Sequence, residues 1–278
     1  MTSRNNLNVK KKVNIDNINY QILENYMYKK ILITGISGLV GNVLHKGLSK
    51  EFYITGVDAN SFLDAPTLVA DSTNIISIEK AYENVDLVID LASVPSQFSP
   101  WNVIYDNNIL CTYNSLELAR LHGVKRYVYA SSNHVTGMYE LDTPYSDIIS
   151  GNYSKIKSYS RITTDMPIRP DGYYGVGKSF GESLGRFYSE EYNMSIMCLR
   201  IGTVNAEDKP LNIRQFATLL THSDLVKLVK SSINASEDIK FGIYYGVSNN
   251  KWRIWDISNS QEEIGYAPSD NAELYRGK

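Results

Sequence analysis

Tyr174 and Lys178, four positions apart in the segment RPDGYYGVGKSFGE, have the side-chain types and spacing that proton transfer requires. This spacing places both side chains on one face of a helix. A phenol has a pKa near ~10, but a neighbouring ammonium favours its anion, so the pair could act as acid and base. The spacing recurs elsewhere in this tyrosine-rich chain, but only here does a long amphipathic helix follow a strand ending in Ser131–Ser132. The alternative is a structural pair without catalysis.

A glycine-rich turn lies in the stretch Ile31–Gly41, which reads ILITGISGLVG. Gly35 permits a sharp turn off a strand, Gly38 lets the backbone approach a pyrophosphate, and Gly41 lets the following helix lie close to the sheet. An anion then sits at the helix N-terminus, towards which N–H groups and the positive end of the helix dipole point. The turn predicts a dinucleotide site, although a tight turn without a ligand would use glycines too.

Two acidic residues follow the next predicted strands. Asp58 comes 23 positions after Gly35, near the spacing at which a carboxylate accepts hydrogen bonds from both ribose hydroxyls of NAD. NAD is favoured over NADP, because a carboxylate repels a 2′-phosphate and no arginine stands at the next two positions. Asp71 is placed to accept from the adenine amino group. Asp58 could instead be an ordinary acidic loop residue.

These residues need strands and helices to bring them together, and the chain alternates the two. Short apolar runs rich in β-branched residues alternate with helix-periodic segments, which predicts a parallel sheet with right-handed crossovers. The fold class is therefore α/β, a doubly wound parallel sheet of the Rossmann type. The predicted strands after the glycine turn are 53–57, 68–70, 86–93 and 124–130, with helices over 74–84 and 99–122.

The composition excludes several classes of function. Lys and Arg number 28 against 30 Asp and Glu, a net charge of −2, so nothing argues for a nucleic-acid or membrane partner. Cys111 and Cys198 stand far apart in apolar segments and read as reduced core residues, and no metal-ligand spacing is present. No apolar run approaches the ~20 residues of a membrane span, and no signal-peptide pattern opens the chain. We expect a cytoplasmic protein that binds a small molecule.

Three regions are expected along the chain. Residues 1–26 are rich in Asn and Lys and predict a poorly ordered extension, so Met27 could be the functional start. Residues 27–200 form the cofactor-binding domain with the Tyr/Lys helix. Residues 201–278 form a small substrate-binding lobe, interleaved with the main domain, with a helix over 223–233 and a strand over 241–247.

The motifs TGISGLVG, SSNHVTG, YGVGK and LRIG, with Asp58 and Asp71, resemble the extended short-chain dehydrogenase/reductase superfamily, which includes the NAD-dependent epimerases and dehydratases. The resemblance implies that Tyr174 is the acid/base, that Lys178 lowers its pKa and holds the nicotinamide ribose, and that Ser132 polarises the substrate oxygen. It implies NAD as the cofactor, no metal, and a homodimer or higher homo-oligomer formed through the helices at 99–122 and 172–192. The implied NAD contacts are Gly35, Gly38, Leu39, Val40, Gly41, Asp58, Asp71, Leu91, Ala92, Ser93, Asn108, Tyr174, Lys178 and Ile201.

A narrower resemblance, to uronate dehydrogenases, rests on SSNH, RPDGYYGVGKSFGE, LRIGT, the arginine of LNIRQ, and IGYAPSDNAE. It implies oxidation of C1 of a hexuronate, such as glucuronate or galacturonate, to its lactone. Arg214 would hold the C6 carboxylate in a fork of two charge-assisted hydrogen bonds. The other implied substrate contacts are Ser96, Ser132, Asn133, His134 and Thr203, which stands where this group has a serine.

Several alternatives stay open at this stage. Arg214 would suit a phosphate equally, and related archaeal enzymes act on glucose 6-phosphate, so a sugar-phosphate dehydrogenase is the first rival. A nucleotide-sugar epimerase or dehydratase is the second, and a regulatory NAD-binding protein without turnover is the third. Arg214 could also form only a surface salt bridge, and His134 could be structural. The loop ASVPSQFSPW departs from the uronate dehydrogenase pattern.

Overall fold

The computed structural model describes residues 30–277. The predicted extension over 1–26 and the proposed start at Met27 lie outside the described residues. None of the described helices combines the length and the apolar character that a membrane span requires.

Within residues 30–277, seven strands form one parallel sheet in the order β3-β2-β1-β4-β5-β6-β7, which confirms the doubly wound α/β fold. The strand order reverses between β1 and β4, and ligands of such sheets bind at that reversal, beyond the carboxyl ends of the strands. The strands are β1 (Lys30–Thr34), β2 (Tyr53–Asp58), β3 (Thr67–Val69), β4 (Leu87–Asp90), β5 (Arg126–Ser132), β6 (Ser195–Ile201) and β7 (Phe241–Gly246).

The helices connect these strands. The longest of the described helices, Tyr173–Tyr192 (α6), carries the Tyr/Lys pair, and a nine-residue 3₁₀ segment, Asn133–Leu141, follows β5 directly. The α-helices are α1 (Leu39–Leu48), α2 (Ile75–Ile78), α3 (Trp101–Ile104), α4 (Leu110–Leu121), α5 (Tyr145–Ile149), α6 (Tyr173–Tyr192), α7 (Gln215–Thr218), α8 (His222–Asn234) and α9 (Ser258–Ile264); a π-helical turn, Tyr105–Ile109, joins α3 to α4, and shorter 3₁₀ turns lie at Glu79–Tyr82, Tyr153–Lys155 and Ala272–Tyr275.

Alternation along β1 divides the hydrophobic core into two layers, one on each face of the sheet. Ile31 and Ile33 belong to one core cluster and Leu32 to the other, and all three are fully buried. Successive strand residues face opposite sides, so a sheet covered on both faces needs continuous apolar runs. The first layer includes apolar residues of α1 and α8, and the second includes those of α4.

The predicted elements are found in the structure, but several boundaries differ. The fourth strand ends at Asp90 rather than at residue 93, and the fifth continues to Ser132 rather than ending at 130. The helix predicted over 99–122 is divided by the π turn. The boundary proposed at residue 200 falls within β6, and β7 pairs with β6 in the main sheet. The division into a cofactor domain and a substrate lobe stays a prediction.

Candidate active site

A cleft of about 860 Å³ opens at the carboxyl edge of the sheet. All of the residues predicted to bind cofactor or substrate line it, apart from Ser96 and Asn108. The sheet brings together the ends of β1, β2, β4, β5 and β6, although these strands are far apart in the sequence.

The glycine turn forms one end of the cleft. Gly35 has a φ of +67°, and its N–H donates to the Val57 carbonyl (2.8 Å), so the chain leaves β1 in a conformation that suits glycine. A Cβ at position 41 would lie 2.4 Å from the Ile36 carbonyl oxygen, which explains why a residue without a side chain is needed there. Gly38 is the N-cap residue of α1, so the N-terminus of that helix borders the cleft.

Asp58 at the end of β2 is held by the backbone. Its two carboxylate oxygens accept the N–H groups of Ser37 and Asn60, each at 2.9 Å, and only 8% of the residue is exposed. Two N–H bonds leave the carboxylate with acceptor capacity for further donors, because it has about four lone-pair sites. Asp71 lines the same cleft and is exposed.

Tyr174 and Lys178 lie together on α6 at the other end of the cleft. Burial raises the pKa of Tyr174 to about 12, while a hydrogen bond with the Ser132 side chain acts in the opposite direction. Burial lowers the pKa of Lys178 to about 8, and its Nζ lies 5.7 Å from the Tyr174 ring centroid. The same Nζ donates to Ser93 Oγ (3.2 Å). The predicted triad of Ser132, Tyr174 and Lys178 is therefore in one place.

Asp90, which the sequence reasoning missed, supports this site from behind. It is buried at the end of β4 and accepts hydrogen bonds from Thr34 Oγ1 (2.5 Å) and Tyr127 OH (2.7 Å). Its charge raises the pKa of Lys178 and so opposes the effect of burial. A single carboxylate in the otherwise apolar run LVIDLA was the signal in the sequence.

The two serines at the end of β5 have different partners, as strand alternation requires. Ser132 faces Tyr174, whereas Ser131 Oγ donates to Glu182 Oε1 (2.6 Å). Glu182 forms a buried ion pair with Arg200 of β6, at 2.9 Å from both Nε and Nη2. Together with the Ser131 hydrogen bond, this pair connects β5, α6 and β6.

His134 lines the cleft next to Tyr174, with the two ring centroids 5.6 Å apart. Its Nδ1 hydrogen-bonds Asp171 Oδ2 at 2.8 Å. A Cβ at Gly175 would lie 2.3 Å from the His134 carbonyl oxygen, so the first turn of α6 packs directly on the 3₁₀ segment. Asp171 lies within the quoted RPDG motif, but its pairing with His134 was not predicted.

Arg214 reaches the cleft, but its guanidinium is already paired. Nε and Nη2 donate to Glu140 Oε2 and Oε1, each at 2.6 Å, and Nη1 donates to Thr203 Oγ1 at 3.4 Å. With the Asn133 amide oriented to satisfy both of its ends, the amide nitrogen donates to the Ile201 carbonyl (3.1 Å) and the oxygen accepts from Arg214 Nη2 (3.0 Å). Glu140 was missed, because nothing in MYELDT distinguishes it from a surface carboxylate.

Ser96 and Asn108 are placed differently from the prediction, since neither lines the cleft. Asn108 is buried within the π turn, where its amide accepts from Val94 N (2.9 Å) and donates to Val94 O (3.2 Å). It fixes the loop after β4 instead of facing the cleft. Ser96 Oγ accepts from the backbone N–H of Phe98 within that loop (3.3 Å).

The chain is similar to several known proteins. A family model described as "NAD dependent epimerase/dehydratase family" matches residues 31–223. Uronate dehydrogenase of Pseudomonas syringae pv. tomato is 31% identical over 90% of this chain and 86% of its own. NAD-dependent glucose-6-phosphate dehydrogenase of Haloferax volcanii is also 31% identical, over 88% and 95%. A mutant uronate dehydrogenase of Agrobacterium tumefaciens, solved in complex with NAD, superimposes with a TM-score of 0.75 at 28% identity, over 89% and 87%.

Proposed function

This chain belongs to the NAD-dependent epimerase/dehydratase family, and from that premise we propose that it is an NAD-dependent dehydrogenase that oxidises C1 of a free sugar to the lactone. The observation that carries the proposal is the grouping of Ser132, Tyr174 and Lys178 in the cleft that also contains the glycine turn. A binding protein without turnover would have no need of a buried phenol beside a buried ammonium.

The cleft has the features that NAD requires. The N-terminus of α1 borders it at the glycine turn, where a pyrophosphate is favoured, and Asp58 retains acceptor capacity for ribose hydroxyls. Lys178 uses one of its three N–H groups on Ser93, which among the described residues leaves donors for the nicotinamide ribose. When bound, NAD supplies the nicotinamide ring that accepts a hydride from the sugar.

The chain's own residues then handle the proton. Tyr174, as the phenolate, takes the proton of the C1 hydroxyl, while the Ser132 hydroxyl holds the same sugar oxygen in place. Lys178 stabilises the phenolate through its positive charge, which lies 5.7 Å from the ring centroid. Its effect is needed, because burial alone raises the pKa of Tyr174.

Hexuronates and sugar phosphates are the two charged classes of substrate that the experiment must distinguish. The resemblance to uronate dehydrogenases favours a hexuronate, and that class forms one arm of the test. The relative named glucose-6-phosphate dehydrogenase supports a sugar phosphate as the competing class. A nucleotide-sugar epimerase or dehydratase returns the hydride to its substrate, so net NADH accumulation distinguishes a dehydrogenase from it.

The experiment follows NADH absorbance with NAD and, in parallel, glucuronate, galacturonate, glucose, galactose, arabinose, glucose 6-phosphate and UDP-glucose. We expect NADH from at least one free sugar, and about a thousandfold loss of kcat in Tyr174→Phe without loss of NAD affinity. The control is Tyr153→Phe, because Tyr153 and Lys157 repeat the four-residue spacing away from the cleft. Absence of NADH with every free sugar, or full activity in Tyr174→Phe, would refute the proposal.

A further inference from the structure

The substrate end of the cleft contains an arginine whose carboxylate-binding fork is already occupied. A guanidinium binds a carboxylate best through two parallel N–H groups, and the Nε/Nη2 edge of Arg214 uses both of them on Glu140. Both contacts are 2.6 Å, and Glu140 is 8% exposed. The Arg214–Glu140 pair is therefore a fixed part of the site rather than a mobile surface salt bridge.

The remaining edge of Arg214 is also engaged. Nη2 donates to the Asn133 amide oxygen (3.0 Å), and Nη1 reaches Thr203 Oγ1 (3.4 Å). Arginine has five N–H groups, so within residues 30–277 these contacts leave one, on Nη1. A substrate carboxylate could gain a two-bond fork only by displacing Glu140 or Asn133.

The charges at this end of the cleft do not favour an anion either. Glu140 cancels the charge of Arg214. The Asp171 carboxylate beside His134 adds a further negative charge, which helps to raise the pKa of Arg214. Within residues 30–277, Lys178 is the other Lys or Arg that lines the cleft, and its Nζ lies beside Ser93 and the Tyr174 ring. A carboxylate or phosphate bound at Arg214 would thus meet no net positive charge from Arg214, Glu140 and Asp171 together, whereas a sugar hydroxyl could accept from Nη1.

We propose that Glu140, acting through Arg214, makes this cleft select an uncharged aldose over the corresponding hexuronate or sugar phosphate. The inference rests on the proposed function, which it deepens by naming the substrate class. Glu140 is a positioning residue, because it does not line the cleft and acts only through the arginine. The Arg214 guanidinium then serves as a hydroxyl donor and not as a carboxylate clamp.

The test uses sugars that differ only at C6: glucose with glucuronate, and galactose with galacturonate. We expect wild-type kcat/KM to be at least about tenfold higher for the neutral member of a pair. Glu140→Gln keeps the shape and uncovers the arginine charge, so the uronate-to-aldose ratio of kcat/KM should rise about tenfold, chiefly through the KM of the uronate. Glu140→Asp keeps the charge and should retain the wild-type preference.

The matched control is Glu117→Gln, which removes the carboxylate from a similar Nε/Nη2 fork with Arg120 on α4, outside the cleft. It should leave the ratio unchanged. A wild-type enzyme that prefers the uronate, or a ratio that Glu140→Gln does not raise, overturns the inference, because a merely structural Glu140 would affect both sugars equally.

Equilibrium binding separates failure of this inference from failure of the proposed function. The same sugar pairs are titrated calorimetrically into Tyr174→Phe loaded with NAD, with and without Glu140→Gln. We expect the neutral sugar to bind more tightly, and Glu140→Gln to equalise or reverse the two affinities. This result supports the inference even when no sugar is oxidised and the dehydrogenase proposal has failed. Tighter binding of the uronate without that substitution, or no measurable binding of either sugar, overturns it.

Discussion

The Tyr174 phenol needs electrostatic help, because its surroundings oppose ionisation. Burial raises its pKa to about 12, and the Ser132 hydrogen bond only partly offsets this effect. Lys178 is the nearby cation, yet its own pKa falls to about 8 through burial and is supported by Asp90. The Lys178 ammonium lies 5.7 Å from the ring centroid, so its positive charge favours the phenolate, and the base form of the enzyme depends on both groups.

We expect Lys178→Met to move the acid limb of the kcat/KM profile to higher pH. The phenol must lose its proton to act as a base, so activity rises with pH through its pKa. Removing a charge 5.7 Å from the ring costs the anion roughly 3 kcal/mol at an effective dielectric constant near 20, or about two pKa units. Activity at neutral pH should fall about a hundredfold. Lys155→Met, at an exposed lysine paired with Asp147, is the control and should leave the profile in place.

Asp58 is expected to set the preference for NAD. The substitution Asp58→Ser removes the carboxylate that repels a 2′-phosphate, so the ratio of kcat/KM for NADP to that for NAD should rise about tenfold or more. Asp71→Ser is the matched control, because its carboxylate lines the same cleft and was predicted to face the adenine. Steady-state kinetics with both cofactors measure the ratio. An unchanged ratio in Asp58→Ser would contradict the prediction that Asp58 binds the ribose hydroxyls.

Spacing in the sequence predicted Tyr174, Lys178 and Asp58, because each belongs to a local pattern attached to one strand or helix. The partners of the substrate residues could not be predicted in this way. Glu140 meets Arg214 across 74 positions and Asp171 meets His134 across 37, in segments without a regular period. Such pairs form only because the 3₁₀ segment after β5 and the segment after β6 both lie against the cleft in the folded chain.

At the level of elements, the π turn over Tyr105–Ile109 shows what periodicity misses. Apolar spacing predicted one helix over 99–122, but an extra residue in the turn changes which face each side chain occupies. Asn108 is thereby directed to the Val94 backbone and holds the loop after β4.

Breaking the buried ion pair between α6 and β6 is expected to destabilise the fold strongly. Arg200 and Glu182 are 1% and 5% exposed, so Glu182→Ala would leave a buried, unpaired guanidinium and cost about 3–5 kcal/mol of unfolding free energy. Urea unfolding of the variant measures the loss. Glu190→Ala on the same helix removes the exposed partner of Arg186 and should cost at most about 0.5 kcal/mol. Equal losses in both variants would contradict this account.

For the whole molecule, the apolar runs were sufficient to predict a parallel sheet, since strands buried on both faces have little freedom in composition. The sheet also incorporates the C-terminal region, because β7 adds to β6 and apolar residues of α8 join the core layer of α1. The sequence predicted a small substrate-binding lobe there, interleaved with the main domain, but it could not reveal which sheet edge the late strand joins.

A large apolar surface remains on the helices that cover one face of this sheet. Tyr113 and Leu121 of α4 are 43% and 58% exposed, and Phe187 and Tyr192 of α6 are 52% and 43% exposed. The Phe187 and Tyr192 rings are 6.0 Å apart, and Arg120 lies over the Tyr192 ring at 4.8 Å. Clustered exposed aromatics of this kind mark interfaces on soluble proteins.

We therefore expect a homodimer formed through α4 and α6, the helices that the resemblance already implied. A two-fold axis would place the same patch on both subunits, and a stable interface needs about 800 Å² from each. Sedimentation velocity should give a dimer for the wild-type protein and a monomer for Phe187→Glu, because a charge at the centre of the patch is unpaired in the dimer. The control Leu63→Glu changes a residue that is 95% exposed outside these helices and should stay dimeric. A wild-type monomer at micromolar concentration, or a Phe187→Glu variant that still dimerises, would contradict the prediction that this patch forms a homodimer.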